Sequence, residues 1–326
     1  TSATGSGVII GKKHVLTGAH VVANATFLQI QKISTPNKVI ARVAAVCHDA
    51  DLALLEIEDE TFTTDIEPAE LGGLPELGDT VMVIGFPVGG EEVSMTEGVV
   101  SRIEVQKYDH SRRWLLAATV DAAINEGNSG GPVFMDDQVV GIAFQTLRDA
   151  ENVGEIVPTS IIRRFLDGID QDRSPKIPGL GVTTQTVENP LLRRELGLST
   201  EQSGLLISQV EFGGSSWGHL QEGDILLRIG GHRLANNGTI QYRDLFRTRF
   251  DVALADYYLD DKLEVEVLRD GETKQFTLPL KERRYLAPRS QYDLRPTYFI
   301  YGGLVFQPLS RDYLETWDDW WEKAHS

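Results

Sequence analysis

The sequence between residues 121 and 132 reads Asp121-Ala122-Ala123-Ile124-Asn125-Glu126-Gly127-Asn128-Ser129-Gly130-Gly131-Pro132 and places a serine in a glycine-flanked turn. Because glycine has no Cβ, such a turn can bring consecutive backbone N–H groups close to one point. A serine hydroxyl is a weak nucleophile unless a base lies within hydrogen-bond distance and a third group fixes the tautomer of that base. A nucleophilic role for Ser129 therefore requires a histidine and a carboxylate elsewhere in the chain.

Two other stretches supply these groups. Thr17-Gly18-Ala19-His20 puts a histidine at the end of a short apolar run, and Asp51-Leu52-Ala53-Leu54 leads an aspartate into another. A histidine considered by itself is more often a core residue. Only the presence of the motifs around Asp51 and Ser129 favours His20 as a base. Asp49 competes with Asp51 as the orienting acid, and we prefer Asp51 because it enters the apolar run directly.

A metal site is the alternative use of the same region. His48, Asp49, Asp51 and Glu56 could supply ligands, but their spacing matches no common metal motif. The sequence also lacks a glycine-rich phosphate loop followed by Lys and Ser or Thr. We therefore expect no cofactor.

Short β-rich runs separated by turn residues extend from Gly7 to about Phe144. Long helical patterns between the runs are missing, which disfavours a parallel α/β sheet and favours a barrel or sandwich. The predicted strands cover residues 8–10, 14–16, 27–33, 39–46, 52–57, 81–86, 99–105 and 139–144.

A helix and a linker follow this β-rich part. Apolar residues between Ile161 and Ile169 recur at helical spacing, so we expect a helix that docks on the barrel. Asp170 to Pro178 mixes charge with serine and proline and reads as a linker.

The sequence after the linker mixes strands with short helices. Asn189 as cap and Pro190 at the first helical position predict a helix from Leu191 to Leu196. We further expect strands over 205–210, 225–229, 263–268 and 275–280, the last two forming a hairpin, and a helix from Tyr242 to Phe250. The acidic stretch from Tyr313 to Trp321 predicts an amphipathic helix.

Composition narrows the class of protein. The 326 residues carry 31 Lys and Arg against 48 Asp and Glu, a net charge of −17, which disfavours nucleic acid as a partner. With 41% hydrophobic residues the chain can build real cores, and its longest apolar runs are too short to span a membrane. Cys47 is the only cysteine, so the chain has no internal disulfide. We expect any targeting segment to lie outside this sequence.

The three blocks together resemble the catalytic blocks of chymotrypsin-fold serine proteases. The stretch from Asp121 to Gly131 resembles the HtrA/DegP family, and Thr96–Val105 together with Tyr301–Leu309 is similar to the plant-type Deg branch. The resemblance implies a mainly β chain with a chymotrypsin-like double β-barrel protease domain followed by an α+β PDZ domain. It also implies that His20 is the general base, Asp51 its orienter and Ser129 the nucleophile.

Two further sites accompany this triad. We expect Gly127, Asn128 and Ser129 to form the oxyanion hole, with the N–H groups of Gly127 and Ser129 as donors. The chymotrypsin-like arrangement puts the residue six before the serine at the floor of the primary specificity pocket. That residue is Ala123, with Ile142, Ala143 and Phe144 as the opposite wall. A small neutral floor favours aliphatic over basic side chains, although Ala123 could equally serve packing alone.

Pro178-Gly179-Leu180-Gly181-Val182 resembles the carboxylate-binding loop of PDZ domains. Consecutive N–H groups in such a loop can hold a peptide C-terminus, and the adjoining strand can accept the peptide as an added strand. Gly179, Leu180, Gly181 and Val182 are thus the candidate peptide-binding residues, with the helix predicted over 242–250 as the other wall of the groove. Gly223-Asp224 supports the PDZ prediction, and an assembly role for the domain stays open.

The organisation predicted from the sequence has three parts: 1–172 the protease domain, 173–285 the PDZ domain, and 286–326 the start of a second, incomplete PDZ-like segment. That last segment either is truncated or packs on its neighbour.

The resemblance implies an ATP-independent endopeptidase for unfolded or damaged proteins, assembled as trimers or multiples of trimers. Unfolded polypeptides and peptide C-termini are the expected partners. A sensor loop over Gln106–Arg113 would control the oxyanion turn. A holding chaperone with minor proteolysis is the alternative, and the compartment could be the periplasm, chloroplast, mitochondrion or nucleus.

Overall fold

The structure is a computed structural model that describes residues 3–33, 35–59, 61–87, 93–124, 127–146, 153–243, 246–285 and 287–317. Its first strands are β1 Val8–Ile9, β2 His14–Thr17, β3 Leu28–Gln31, β4 Lys38–Cys47, β5 Leu52–Ile57, β6 Thr80–Gly85, β7 Ser94–Lys107, β8 Trp114–Val120, β9 Pro132–Met135, β10 Gln138–Thr146 and β11 Gly154–Pro158. The helices α1 Ala19–Val22 and α2 Thr159–Asp170 belong to the same part of the chain.

The later elements begin after residue 181. The strands are β12 Val182–Thr186, β13 Leu205–Val210, β14 Ile225–Ile229, β15 His232–Arg233, β16 Thr239–Tyr242, β17 Phe246–Arg249, β18 Lys262–Arg269, β19 Glu272–Pro279, β20 Phe299–Tyr301 and β21 Leu304–Phe306. The helices are α3 Pro190–Glu195, a 3-10 helix Phe250–Asp256 and α4 Arg311–Leu314.

Two β-structures form the first part. One is a five-stranded antiparallel sheet in the order β1-β2-β5-β4-β3, and the other is a closed barrel in the order β10-β11-β8-β7-β6-β9. The predicted β character is confirmed, and three strands that the sequence did not indicate, β8, β9 and β11, complete the barrel. β8 is buried at every residue after Trp114, so it shows no alternation of apolar and polar residues.

Helix α2 closes this part as predicted, burying Ile161, Ile162 and Phe165. The residues that follow lie against the protein and are not a free linker. The carbonyl oxygen of Pro175 accepts hydrogen bonds from Cys47 Sγ and from Arg164 Nη1, both at 3.0 Å. The N–H of Ile177 donates to Asp49 Oδ2 at 2.9 Å. The connection between the two parts is therefore held in place by the first part.

The second part is built on a sheet in the order β12-β13-β14-β18-β19, with β15 beside β14. The predicted hairpin is confirmed as β18 and β19, which pair from Lys262–Pro279 to Arg269–Glu272. The predicted cap is also present, because Asn189 accepts a hydrogen bond from Leu191 N and Pro190 opens α3.

The helix predicted over Tyr242–Phe250 is wrong. The described residues there form a hairpin in which Ile240 pairs with Thr248 and Tyr242 with Phe246, followed by the 3-10 helix. Ile240 and Tyr242 on β16 and Thr248 on β17 are buried, whereas their neighbours Gln241, Arg247 and Arg249 are exposed. This period of two is the strand pattern, and it outweighs the local helical spacing of the apolar residues.

The end of the described chain is a small exposed hairpin, β20 and β21, all of whose residues are exposed. The amphipathic helix predicted from Tyr313 to Trp321 is wrong over the described residues: the helix there is α4, which ends at Leu314 and is capped by Ser310 through Tyr313 N, and residues 315–317 form a turn and a bend. Residues 318–326 lie outside the described residues. Within the described ranges, no helix has the length and apolarity that a membrane crossing requires.

A buried ion pair fixes the second sheet. Asp224 is fully buried and accepts hydrogen bonds from Arg269 Nε and Nη2, both at 2.7 Å, and from Gln221 N at 2.9 Å. We expect Arg269→Ala to destabilise the protein by about 3–5 kcal/mol, because it leaves a buried carboxylate without its cation. Urea unfolding followed by circular dichroism measures this loss.

The matched control is Arg42→Ala, which breaks an ion pair between Arg42 and Glu56 that lies at the surface. This substitution should cost at most about 1 kcal/mol, since exposed pairs contribute little. Equal losses in the two variants would contradict the assignment of Asp224 and Arg269 as a structural pair.

Candidate active site

His20 and Asp51 are joined by two hydrogen bonds. His20 lies in α1 directly after β2, and Asp51 precedes β5 in a left-handed conformation with φ of 55°. His20 Nδ1 donates to Asp51 Oδ2 at 2.7 Å, and the His20 backbone N–H donates to Asp51 Oδ1 at 2.8 Å. Asp51 is 1% exposed. The carboxylate thereby fixes the ring and leaves Nε2 as the nitrogen that could accept a proton.

The pKa of His20 lies above its ordinary value of 6.5. Burial acts to lower this pKa, but the hydrogen bond to Asp51 and the charge of Asp51 raise it by more. A base with a pKa above 6.5 takes a proton from a hydroxyl more readily than free imidazole does. The pair is thus suited to general-base chemistry near neutral pH.

The serine turn is attached to the His20 region through Ser6. The Ser6 N–H donates to Ser129 O at 2.9 Å, and Ser6 Oγ donates to Gly127 O at 2.7 Å. The Ser6 carbonyl accepts from Thr17 Oγ1 at 2.6 Å, and Thr17 ends the strand that precedes His20. These bonds bring the turn that carries Ser129 next to the end of β2, and helix α1, which carries His20, follows directly.

The surroundings of Gly130 show how closely the Ser129 turn approaches Ser6 and the end of β2. Its φ is +81°, and a Cβ at this position would collide with Thr17 Oγ1 and with the carbonyl oxygen of Ser6. The turn is also bound to β10, because Gly130 N donates to Ala143 O at 2.7 Å and Ala143 N donates to Gly131 O at 2.9 Å. The residue after the serine must therefore be glycine for steric as well as conformational reasons.

The predicted oxyanion residues lie in this same turn. Gly127 has φ of +96°, and Asn128 is 1% exposed. The bonds from Ser6 engage the carbonyl oxygens of Gly127 and Ser129, and the N–H groups that the prediction assigns to an oxyanion take no part in them. The backbone of the turn is thus fixed by bonds that do not use the predicted donors.

The predicted specificity pocket is divided between two faces of β10. Ile142 and Phe144 belong to one core cluster, where Phe144 contacts Tyr108 at 4.3 Å between ring centroids. Ala143 belongs to the other cluster, with Ala122 and Ile124. Neighbouring residues on a strand face opposite sides, so the three wall residues do not share one surface. Ala123 is half-buried, and its carbonyl accepts from Thr96 Oγ1 at 3.2 Å.

Sequence reasoning missed Ser6, although it links every part of this site. The signal was present in Gly5-Ser6-Gly7, because a Cβ at Gly5 would approach Val21 and the carbonyl of Ser129, and one at Gly7 would approach Val15. Two glycines around a small hydroxyl residue indicate a chain that passes close to other backbone.

The predicted peptide-binding loop is largely enclosed. Gly179 O and Leu180 O accept from Ser215 Oγ and Ser216 Oγ at 2.6 and 2.7 Å, and Gly181 has φ of +74°. β12, which begins at Val182, forms an edge of its sheet. A small cavity beside it is lined by residues of both parts: Arg113, Trp114, Leu115, Ile177, Gly179, Leu180, Val182, Phe250, Asp251, Leu254 and Arg283. With the helix over 242–250 absent, the 3-10 helix supplies the wall opposite the loop.

The two arginines of the predicted sensor loop have different partners. Arg113 Nη2 donates to the carbonyl oxygens of Ile177 and Pro178 at 2.9 and 2.7 Å. Arg112 Nη1 donates to Asp109 within the same loop at 3.0 Å. Arg113 alone of this pair thus connects the sensor loop to the start of the peptide-binding loop.

The alternative of a metal site finds no cluster to support it. Over the described ranges, no group of three or more His, Cys, Asp and Glu side chains is arranged to hold a metal ion. Asp49 instead holds the connecting segment through Ile177 N, which leaves Asp51 as the carboxylate on His20.

Comparison with known proteins places these features in a class. A family model described as trypsin-like peptidase domain matches residues 5–142, and one described as PDZ domain matches residues 287–326. A solved structure described as HtrA-type protease AlgW with decapeptide matches with a TM-score of 0.66 and 25% identity, over 86% of this chain and 83% of that chain. The closed barrel, the adjoining sheet and the comparisons together place the chain in the class of trypsin-like peptidase folds that also match a PDZ model.

Curated relatives resemble the chain over nearly its whole length. Protease Do-like 4, mitochondrial, of Arabidopsis thaliana is 39% identical over 313 residues, which are 96% of this chain and 60% of the relative. Protease Do-like 2, chloroplastic, of the same plant is 39% identical over 320 residues, 96% of this chain and 52% of the relative. The chain therefore spans little more than half the length of these relatives. Over nearly its whole length the chain is similar to Do-like serine proteases.

The pKa of His20 generates a pH prediction. As the predicted general base, His20 could accept a proton from Ser129 only in its neutral form, so kcat/KM on a peptide substrate should rise with pH and reach half its maximum above pH 6.5. Asp51→Asn removes the charge that raises this pKa, so it should shift the midpoint downward and reduce kcat by about 10³–10⁴-fold. Rates of peptide hydrolysis measured from pH 5 to 9 give both the pH midpoint and kcat.

Asp49→Asn makes the same change of charge two residues away and should leave the rate and the midpoint close to those of the wild type. A wild-type midpoint below pH 6, or a rate loss as large in Asp49→Asn as in Asp51→Asn, would contradict the assignment.

Proposed function

We propose that this chain is an ATP-independent serine endopeptidase in which His20, Asp51 and Ser129 form the catalytic triad. The observation that carries the proposal is the doubly hydrogen-bonded His20–Asp51 pair, with the Ser129 turn attached beside it through Ser6 and Thr17. In this mechanism His20 Nε2 takes the proton of Ser129 Oγ as that oxygen attacks the scissile carbonyl. Asp51 stabilises the imidazolium that forms, and His20 then gives the proton to the leaving amine.

The oxyanion hole completes the proposed site. The N–H groups of Gly127 and Ser129 would donate to the developing oxyanion, with Asn128 between them. Support comes from the positive φ of Gly127 and from the bonds that fix the carbonyl side of the turn. One such donor contributes about 10²–10³ in rate. Ala123 at the floor of the primary pocket would favour small or medium aliphatic side chains over basic ones.

We propose unfolded or damaged polypeptides as the substrates. The sequence contains no phosphate-binding motif that could drive unfolding, so substrates must reach the site already unfolded. One relative of solved structure is described as bound to a decapeptide, and by analogy residues Gly179 to Val182 would receive a peptide C-terminus beside the β12 edge. The domain bounds 1–172, 173–285 and 286–326 are part of this proposal.

Assembly and location follow the family. We propose a trimer or a multiple of trimers as the assembly. Named relatives are mitochondrial or chloroplastic, and an organelle is accordingly the proposed compartment.

Casein hydrolysis by the wild type and by Ser129→Ala, without metal or nucleotide, tests the proposal. We expect the wild type to cleave casein and the variant to lose at least about 10³-fold in rate, since the nucleophile is removed. A holding chaperone would instead be indicated if neither protein cleaved casein while both suppressed the aggregation of an unfolded client equally. Labelling by a fluorophosphonate, which reacts with an activated serine, should occur in the wild type and be absent in Ser129→Ala.

The contacts of Arg113 generate a prediction about regulation. Because Arg113 joins the sensor loop to Ile177 and Pro178, Arg113→Ala should reduce the stimulation of peptidase activity by an added C-terminal peptide. Arg112→Ala is the matched control, since Arg112 bonds only within its loop to Asp109 in the described contacts. Activity assays with and without the peptide measure the ratio. Equal stimulation in Arg113→Ala and the wild type would contradict the coupling.

A further inference from the structure

The segment after residue 286 returns to the first part of the chain and places an aromatic ring over two adjacent histidines. Tyr292 stacks on His110 with a centroid distance of 4.0 Å and an interplanar angle of 19°, and on His48 at 4.6 Å and 28°. Its hydroxyl donates to the carbonyl oxygen of His110 at 2.9 Å. The ring of Tyr292 is thus held by stacking and its hydroxyl by a hydrogen bond, which are the contacts that a protein makes with an aromatic ligand.

The next residue adds a charged anchor. Asp293 Oδ2 accepts from His48 Nε2 at 2.9 Å, and Asp293 Oδ1 accepts from Asn24 N at 2.6 Å. The Asp293 N–H donates in return to Asn24 Oδ1 at 2.8 Å. Asn24 and Asp293 both adopt left-handed conformations, with φ of 59° and 61°, which these two residue types tolerate better than most. The reciprocal pair is therefore a specific fit between two turns.

This contact lies beside the triad. The ring centroid of His110 is 6.2 Å from that of His20, His48 precedes Asp51 by three residues, and Asn24 comes shortly after α1, the helix that carries His20. His48 Nδ1 and His110 Nε2 are 2.9 Å apart and share a hydrogen bond. We call the surface formed by Asn24, His48 and His110 the aromatic site.

The electrostatics of the aromatic site suit an uncharged aromatic guest. Burial lowers the pKa of His110 to about 4, and the neighbouring His48 and His20 also lower it, against the opposing charges of Asp51 and Asp293. The His110 ring is consequently neutral at physiological pH. A neutral His110 can donate from Nε2 to His48 Nδ1, which leaves His48 Nε2–H to donate to a carboxylate.

We propose that the aromatic site is a substrate-binding subsite for a tyrosine or phenylalanine side chain of the bound polypeptide, and that Tyr292 occupies it as an internal ligand. The inference rests on the proposed function, because a subsite requires that polypeptide be cleaved at the neighbouring Ser129. It assigns the class of guest from the stacking geometry and favours an acidic residue directly after the aromatic one.

The internal ligand is exchangeable. Tyr292 is only half-buried, and the side chain of Asp293 is 43% exposed, so the contact with His48 is open to solvent on one side. Exposed ion pairs are weak, and a substrate with its own aromatic side chain can displace Tyr292. While Tyr292 occupies the aromatic site, cleavage of substrates is restrained. When Tyr292 leaves, the aromatic site adds binding energy for substrates with an aromatic side chain.

The first test measures binding without catalysis. In a Ser129→Ala background, the probe is a fluorescent peptide Ser-Gln-Tyr-Asp-Leu, which copies residues 290–294. Removing the internal ligand with Tyr292→Ala should tighten binding by at least about tenfold, because the tethered competitor is gone. Adding His110→Ala should abolish this gain. Tyr298→Ala is the matched control, since Tyr298 is 67% exposed, and it should leave affinity unchanged.

The second test measures hydrolysis with Ser129 intact. Tyr292→Ala should raise kcat/KM mainly by lowering KM, and the gain should be larger for peptides with Tyr or Phe close to the cleaved bond than for matched Ala peptides. The pentapeptide should inhibit competitively. A lower kcat in Tyr292→Ala, gains independent of the aromatic residue, or absent tightening in the first test would each overturn the proposal.

Failure of the proposed function gives a different result. If no variant with Ser129 intact cleaves any peptide, the endopeptidase proposal fails. A subsite for the substrate of that reaction then fails with it, even where the binding test shows tightening. If the wild type cleaves and Tyr292→Ala shows no tightening, only the aromatic site is refuted.

Discussion

The geometry of the candidate active site depends on the hydrogen bonds of one small buried residue, Ser6. Its N–H, carbonyl and hydroxyl bind Ser129 O, Thr17 Oγ1 and Gly127 O, and the hydroxyl also accepts from Phe86 N at 2.8 Å. Each polar group of the residue is therefore used, as a buried polar group must be if it is not to destabilise the fold. The five-stranded sheet holds His20 and Asp51, the closed barrel holds the Ser129 turn, and Ser6 fixes the distance between them.

A second set of contacts joins the second part of the chain to the first, and it uses arginine side chains that donate to backbone carbonyl oxygens. Arg164 is 8% exposed and donates to the carbonyl oxygens of Tyr257, Pro175 and Lys176. Arg113 likewise donates to the carbonyl oxygens of Ile177 and Pro178. A guanidinium with five donors can bind several carbonyls at once.

The sequence was most informative where chemistry requires a particular residue type within a short motif. The blocks around His20, Asp51 and Ser129 and the cap at Asn189 are local patterns, and the structure brings His20 and Asp51 into contact. The helix predicted over residues 242–250 was wrong. The apolar residues there fit both the helical and the strand period, and only the burial of Ile240 and Thr248 favours strands. Contacts such as Ser6 with Ser129 or Tyr292 with His48 join residues more than 100 positions apart. No local pattern specifies such pairs, since they arise from how sheets and connections pack.

Cys47 shows what the fixed connection between the two parts makes possible. Its thiol donates to Pro175 O, it is 1% exposed, and burial raises its pKa to about 12. The thiolate is the reactive form, so alkylating reagents cannot modify this cysteine while the connecting segment stays in place. Since the chain has no other cysteine, its rate of alkylation measures how often the connecting segment leaves Cys47 uncovered. The native protein thus contains its own chemical probe for detachment of the connecting segment from Cys47.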